Sequence, residues 1–380
     1  MRLAGRALAA GCALALGGCG YFPTFGYFQD ASKKPLPLPE FTATVTPRVA
    51  WSASVGKEGE YRFTPRVDGN RVLAAAADGT VSILDAENGR VIARIDAKRK
   101  LSSGAGGQGD TILVGTPKGE VVALDAAGKE KWVANVSGEV LAPVVAEGQS
   151  AIVRVGDGRI FSLSLADGKR KWVYQRPTPA LLLRSGTGVL TTPSSVVAGY
   201  PGGKLLALDI DDGKLTWEVT VSAPRGSTEL ERVADVAGLP VIEGNRICAA
   251  AFQGKVACFE ILSGNALWSR DISTASRLGL DDKNVYVSDD QDVVHALDRE
   301  GGASRWKQDK LLRRGLTGPV AVDGKVVVGD AQGYLHVLSR DDGSFIGRLS
   351  LGDGAIRALE PALSGVVVQT SGGTVALVRF

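Results

Sequence analysis

Ala123-Leu124-Asp125-Ala126-Ala127-Gly128-Lys129-Glu130-Lys131-Trp132 is the stretch on which the fold turns. A Leu ends a run of strand formers, an acidic residue opens a polar turn, Gly closes it, and Trp follows four residues later. The pattern recurs from Leu84-Asp85 to Gly89, from Leu163-Ser164 to Gly168 and Trp172, and from Leu208-Asp209 to Gly213 and Trp217. It returns from Phe259-Glu260 to Gly264 and Trp268, from Leu297-Asp298 to Gly302 and Trp306, and from Leu338-Ser339 to Gly343. The chain ends on half a copy, Gly373-Thr374-Val375-Ala376-Leu377, and the missing half stands at the other end around Trp51. The anchors at 84, 124, 163, 208, 259, 297, 338 and 377 are 40, 39, 45, 51, 38, 41 and 39 residues apart. A period of about 42 residues is that of a four-stranded propeller blade.

Eight anchors define an all-β fold, an eight-bladed β-propeller of four-stranded blades over residues 47–380, with the ring closed by pairing of the N- and C-terminal strands. Closure removes the sheet edges that would otherwise invite aggregation. Within a repeat two apolar runs flank a tight turn, as Arg71 to Leu84 do around Asp78-Gly79, which is a hairpin signal. Equivalent turns occur at Lys118-Gly119, Asp157-Gly158, Gly202-Gly203, Gln253-Gly254, Gln332-Gly333 and Gly372-Gly373. The six tryptophans then share one structural position, packing between neighbouring blades.

The 44 basic and 41 acidic residues leave a formal charge of +3 without a long run of either sign, so neither nucleic acid nor an anionic membrane surface is implied. Forty-nine glycines with many Val, Ala and Leu suit short strands and tight turns. The first residues follow a secretory plan: Arg2 and Arg6, then an apolar stretch from Ala7 to Gly17 too short to span a bilayer. Leu16-Gly17-Gly18-Cys19 resembles the bacterial lipobox, which makes residues 1–18 a lipoprotein signal peptide and Cys19 the lipidated first residue of the mature chain. Cys12 follows too short an apolar run to serve. Gly20, rather than Asp, after the cysteine implies sorting to the outer membrane, facing the periplasm. Residues 19–46, with Pro23, Pro35, Pro37 and Pro39 among aromatics, are expected to be a lipid-anchored, semi-rigid tether.

Enzymatic signatures are missing. His295 and His336 each precede an anchor by two residues, so they are repeat positions rather than metal ligands. No nucleophile elbow, zinc motif, phosphate loop or Cys-x-x-Cys occurs. Asp209-Ile210-Asp211-Asp212-Gly213 lacks the spacing and terminal Glu of a calcium loop and coincides with the repeat's turn. Cys248 and Cys258 flank the turn at Gln253-Gly254 symmetrically, which leaves a disulfide and a pair of buried thiols both open.

Departures from the period mark where function can sit. From Trp132, Trp268 and Trp306 to the next anchor takes 31, 29 and 32 residues, but 36 from Trp172 and 42 from Trp217. Both insertions fall in the connection between blades, so Pro177 to Gly186 and Ala223 to Asp235 are expected side by side on one face. The first carries Leu181, Leu182, Leu183 and Arg184 where a solvent loop would be polar, which suggests a protein contact.

The unit Ala-Leu-Asp-x-x-x-Gly-Lys-x-x-Trp resembles the repeat of pyrroloquinoline-quinone-dependent dehydrogenases, which makes a periplasmic quinone-dependent propeller the alternative function. Those enzymes carry an adjacent-cysteine disulfide and a calcium set that have no counterpart in this sequence. A closer resemblance covers essentially the whole chain. The lipobox, the proline-rich stretch, Gly226 to Val236 and Gly329 to His336 are similar to the BamB family of outer-membrane protein assembly factors. That resemblance implies a non-catalytic scaffold without cofactor, which binds the POTRA domains of BamA and other subunits of the β-barrel assembly machine, and possibly unfolded clients. It also maps partner binding onto Leu181, Leu183, Arg184 and Asp235. The family's Asp-x-Asp is here Asp235-Val236-Ala237, which is expected to reduce the charge of the second loop.

Overall fold

The computed structural model describes residues 34–179, 181–362 and 364–380, and every regular element among them is a β-strand. Eight four-stranded antiparallel sheets are present. The first consists of Arg66–Asp68, Arg71–Ala75, Thr80–Asp85 and Val91–Asp96 in sequence order. Six more follow at residues 106–135, 145–174, 190–220, 241–270, 279–308 and 320–350. The eighth takes three strands, Ile356–Ala362, Gly365–Thr370 and Thr374–Arg379, from the C-terminus and its outermost strand, Arg48–Ser54, from the N-terminus. The register runs from Arg48 opposite Arg379 to Ser54 opposite Thr374, with a bulge at Val49/Trp51. This is the closure expected from the split repeat.

First strands of successive blades touch one another and ring the axis, while the fourth strands face outward and are largely exposed. The second and third strands are apolar on both faces because each blade is sandwiched between two others. Since each strand reverses the last, the turns between second and third strands lie on the same face of the ring as the connections from one blade to the next. That shared face is the connection face.

Tryptophan and glycine of the repeat work as a pair across blades. Trp51, Trp132, Trp172, Trp268 and Trp306 are 7–8% exposed, and their indole N–H groups donate to the carbonyls of Ala86, Leu165, Ile210, Arg299 and Arg340 in the next blade. The ring lies on the turn glycine of that blade: a Cβ on Gly89, Gly168, Gly213, Gly302 or Gly343 would stand 2.5–2.6 Å from it. These glycines also hold φ of 67–73°, so they serve both the turn and the close approach. Trp217 departs from the set; it is only partly buried, and Val219 is the nearer neighbour of Gly264.

Asp85, Asp125, Asp209 and Asp298, each following an anchor, cap their own turns, as Asp209 does by accepting the amides of Asp211 and Asp212. Asp212 in turn pairs with Lys214, so this loop is the repeat's turn. Blade 6 forms the same hairpin although no Gly marks it, because Asp292 takes the left-handed position at φ 68°. Cys248 and Cys258 are directly opposed in adjacent strands, Cα–Cα 4.1 Å, and are joined by a disulfide.

Cys19 and the signal segment lie outside the described residues. Residues 34–47 carry no strand or helix, as the prolines dictate, yet they do not stand away from the propeller. They run along the outer edge of blade 7, where Leu36 N–H donates to Leu312 O and the Thr44 and Val45 amides donate to Ile346 O.

Candidate functional site: two insertion loops on the connection face

Both insertions lie on the connection face and touch. The first follows strand Arg170–Tyr174, and its described residues carry no regular structure before Leu190. The second leaves strand Leu215–Thr220, exposes residues 223–232, and turns inward over residues 233–238. Their junction is built on Asp235, which is 5% exposed. Its carboxylate accepts Leu183 N–H at 2.7 Å and Gly202 N–H at 3.2 Å, while its own carbonyl accepts Phe252 N–H at 2.9 Å. Thr187 Oγ1 donates to the Ala237 carbonyl, a second tie between the loops. Burial pushes the Asp235 carboxyl up from its usual range, against the two amides and the nearby Arg154, which favour the charged form. Arg154 stacks over Tyr200, 5.0 Å from the ring centroid, and the Tyr200 hydroxyl donates to Gly158 O, so the floor beneath the loops is itself held.

Above that floor Leu181 is 41% exposed, Leu182 and Leu183 are half-buried, and Arg184 is exposed. Arg184 meets Glu139 of the preceding interblade connection through one guanidinium edge, Nη2 donating to Oε1 at 3.0 Å and to Oε2 at 2.9 Å and Nε to Oε2 at 3.3 Å. A surface pair of this kind contributes about 0–1 kcal/mol, so exchanging Glu139 for another carboxylate costs little. The surface is thus an apolar tip beside an exchangeable guanidinium.

The structure brings Leu183, Arg184 and Asp235 together but gives them unlike places: Leu181 and Arg184 outside, Leu183 in the seam, Asp235 beneath. Ala237 is 6% exposed, so an apolar side chain suits that position and its surface-charge cost is nil. Two neighbours escape a linear reading. Leu230, 55% exposed, is an apolar residue at the tip of an otherwise polar insertion, and that contrast was its signal. Glu139 has no signal, because only the ring places its connection beside Arg184.

Fold and site define a closed eight-bladed propeller of the PQQ-like repeat type, elaborated on one face by two joined insertions. The family described as "Outer membrane protein assembly factor BamB" matches residues 77–308 and 293–379. The chain is 42% identical to the BamB of Bordetella pertussis over 368 residues, 96% of this chain and 94% of that one. It is 32% identical to the BamB of Escherichia coli, covering 95% of each. The crystal structure of BamB from Moraxella catarrhalis superposes with a TM-score of 0.81 at 26% identity, covering 88% of this chain and 100% of that one. The chain belongs to the BamB family. Quinohemoprotein alcohol dehydrogenase from Comamonas testosteroni, TM-score 0.69 at 13% identity over 89% of this chain and 78% of that one, shares the fold alone.

Proposed function

We propose that this protein is a non-catalytic scaffold for outer-membrane protein assembly, anchored by lipid at Cys19 to the periplasmic face of the outer membrane, and that it docks on the POTRA domains of BamA through the two insertion loops. The observation that carries the site is the division of labour at the seam. Asp235 clamps the backbone of Leu183 from below, which holds Leu181 and Arg184 outward on an otherwise repetitive surface. In this reading Leu181 and Leu183 supply apolar contact area, Arg184 exchanges Glu139 for an acidic group of the partner, and Asp235 positions the loop. Preorganisation of this kind lowers the ordering cost of association.

The test is capture of the purified periplasmic domains of BamA by a Leu183→Asp, Arg184→Ala double variant whose melting is unchanged. Capture is expected to be lost; undiminished capture would remove the site assignment. Adding quinone and calcium and measuring dye reduction tests the non-catalytic part, which turnover would overturn.

A further inference from the structure

The outer edge of blade 7 holds a further segment of the chain, residues 34–47. In the repeat, Gly343 calls for Trp at 347, and the chain has Gly there instead. Strand Phe345–Ser350 faces blade 8, the one blade whose third and fourth strands are joined by no turn, so no turn glycine waits to receive an indole. The segment leading into strand Arg48–Ser54 occupies that space: a Cβ on Gly347 would stand 3.0 Å from Pro47 Cδ and from Val45 O. Further toward the N-terminus three arginines grip backbone carbonyls. Arg348 Nη2 donates to Pro39 O at 3.0 Å, Arg314 Nη1 to Leu36 O at 2.9 Å and Arg313 Nε to Lys34 O at 2.9 Å. Phe41 lies under the Arg348 guanidinium, 4.9 Å from its ring centroid, and against Phe345.

Two of those arginines are held from behind. Arg314 Nε pairs with the buried Asp330 at 2.7 Å, Asp330 with His336 Nε2 at 2.9 Å, and Arg348 Nε donates to His336 Nδ1 at 3.3 Å. With Nδ1 accepting, Nε2 carries the proton and donates to Asp330. Blade 6 repeats the first half of this arrangement, His295 on Asp289 at 2.8 Å, but places Lys307 where blade 7 has Arg348. Among the described residues, no hydrogen bond joins the 34–47 segment to that His–Asp pair. The arginines are therefore additions to the repeat that coincide with the segment.

We propose that the edge of blade 7 is a docking site for the chain's own proline-rich segment 34–47, and that it fixes where the lipid leash leaves the propeller. An extended proline-rich strand offers unpaired carbonyls and little conformational entropy to lose, which matches a row of arginines. The segment meets residues 312–314, the connection between blades 6 and 7, so the leash departs from the connection face. The two insertion loops are on that same face, two and three connections round the ring. The fifteen or so residues between Cys19 and Lys34 set the leash, whose fully extended length is at most about 50 Å. The docked segment thus keeps the exit point on the loop-bearing face within that reach of the bilayer, which biases that face toward it. This last step rests on the lipid anchor proposed above; the docking does not.

Hydrogen exchange on the full-length lipidated protein tests the docking. The amides of Leu36, Thr44 and Val45 are expected to exchange about tenfold or more below the unstructured rate. Arg348→Gln should release them, and Gly347→Val should do so without touching the arginines. Unstructured rates in the parent, or full protection in both variants, overturn the proposal. The exit is tested on phosphatidylethanolamine/phosphatidylglycerol vesicles containing an acceptor lipid, with a dye on Glu229→Cys in the second insertion or Asp211→Cys on the opposite face of the same blade. Transfer should be greater from position 229, and Gly347→Val should narrow the difference; equal or reversed transfer in the parent overturns the assigned exit. A protein that binds no vesicles at all would refute the lipid anchor, and the exchange result would still decide the docking.

Discussion

Replacing Asp235 by Ala separates a residue that touches the partner from one that positions the residues that do. The carboxylate accepts two backbone amides, from Leu183 at 2.7 Å and Gly202 at 3.2 Å, and is buried at the seam. Hydrogen bonds to a charged group contribute about 1.5–3 kcal/mol each, and the burial that raises this carboxyl offsets part of that sum. A net loss of about 1.5–3 kcal/mol is expected, most of it felt by the first loop, since Gly202 stays within its hairpin. At about 1.4 kcal/mol per factor of ten, the Leu183 amide should exchange roughly ten- to a hundredfold faster. Affinity for the partner should weaken by no more than the same factor, because only the competent fraction of loops is reduced. Asp235→Asn, with one acceptor oxygen, should fall between. Salt discriminates the readings: a direct charge contact with the partner would lose its worth as ionic strength rises, whereas a buried clamp would not. Normal exchange at Leu183 together with lost, salt-sensitive binding would show that Asp235 is a contact after all.

Three further outcomes follow from the same geometry. Gly213→Ala places a methyl 2.6 Å from the Trp172 ring at a φ of 73°, so a loss of about 1–3 kcal/mol is expected in urea unfolding; a change below a few tenths would contradict the interblade pairing. Burial holds the His336 imidazole below its usual range despite Asp330, so as pH falls below about 6.5 the unfolded chain takes the proton first and stability declines. His336→Gln should flatten that part of the stability–pH curve, and an unaltered slope would refute it. Reducing the Cys248–Cys258 bridge removes a loop constraint of only ten residues and should cost about 2–3 kcal/mol, read as a lower melting temperature with dithiothreitol that a Cys248→Ala, Cys258→Ala variant does not show.

The loops show how far a linear reading reaches. Their existence was legible because a repeat makes extra residues countable, and their adjacency followed from the ring. The roles within them were not legible. Leu181, Leu183 and Asp235 look alike as candidates in one dimension, and only burial separates the exposed leucine from the seam leucine and the clamp beneath. Arg184 carries a charge in the sequence; that Glu139 already holds it depends on two connections meeting in space. Blade 6 makes the complementary point, since its hairpin carries no Gly and rests on Asp292 adopting a left-handed backbone that few residue types tolerate.

The blade count, the split eighth blade and the position of the insertions were all set by the sequence itself, because each is a property of period and residue type. What the tertiary structure alone decided was the course of residues 34–47. Prolines deny that segment strand and helix whether it is free or bound, so its composition is silent on the choice. The answer lies with Arg313, Arg314, Arg348 and Gly347, nearly three hundred residues away, whose side chains and missing side chain become a groove only when blade 7 folds.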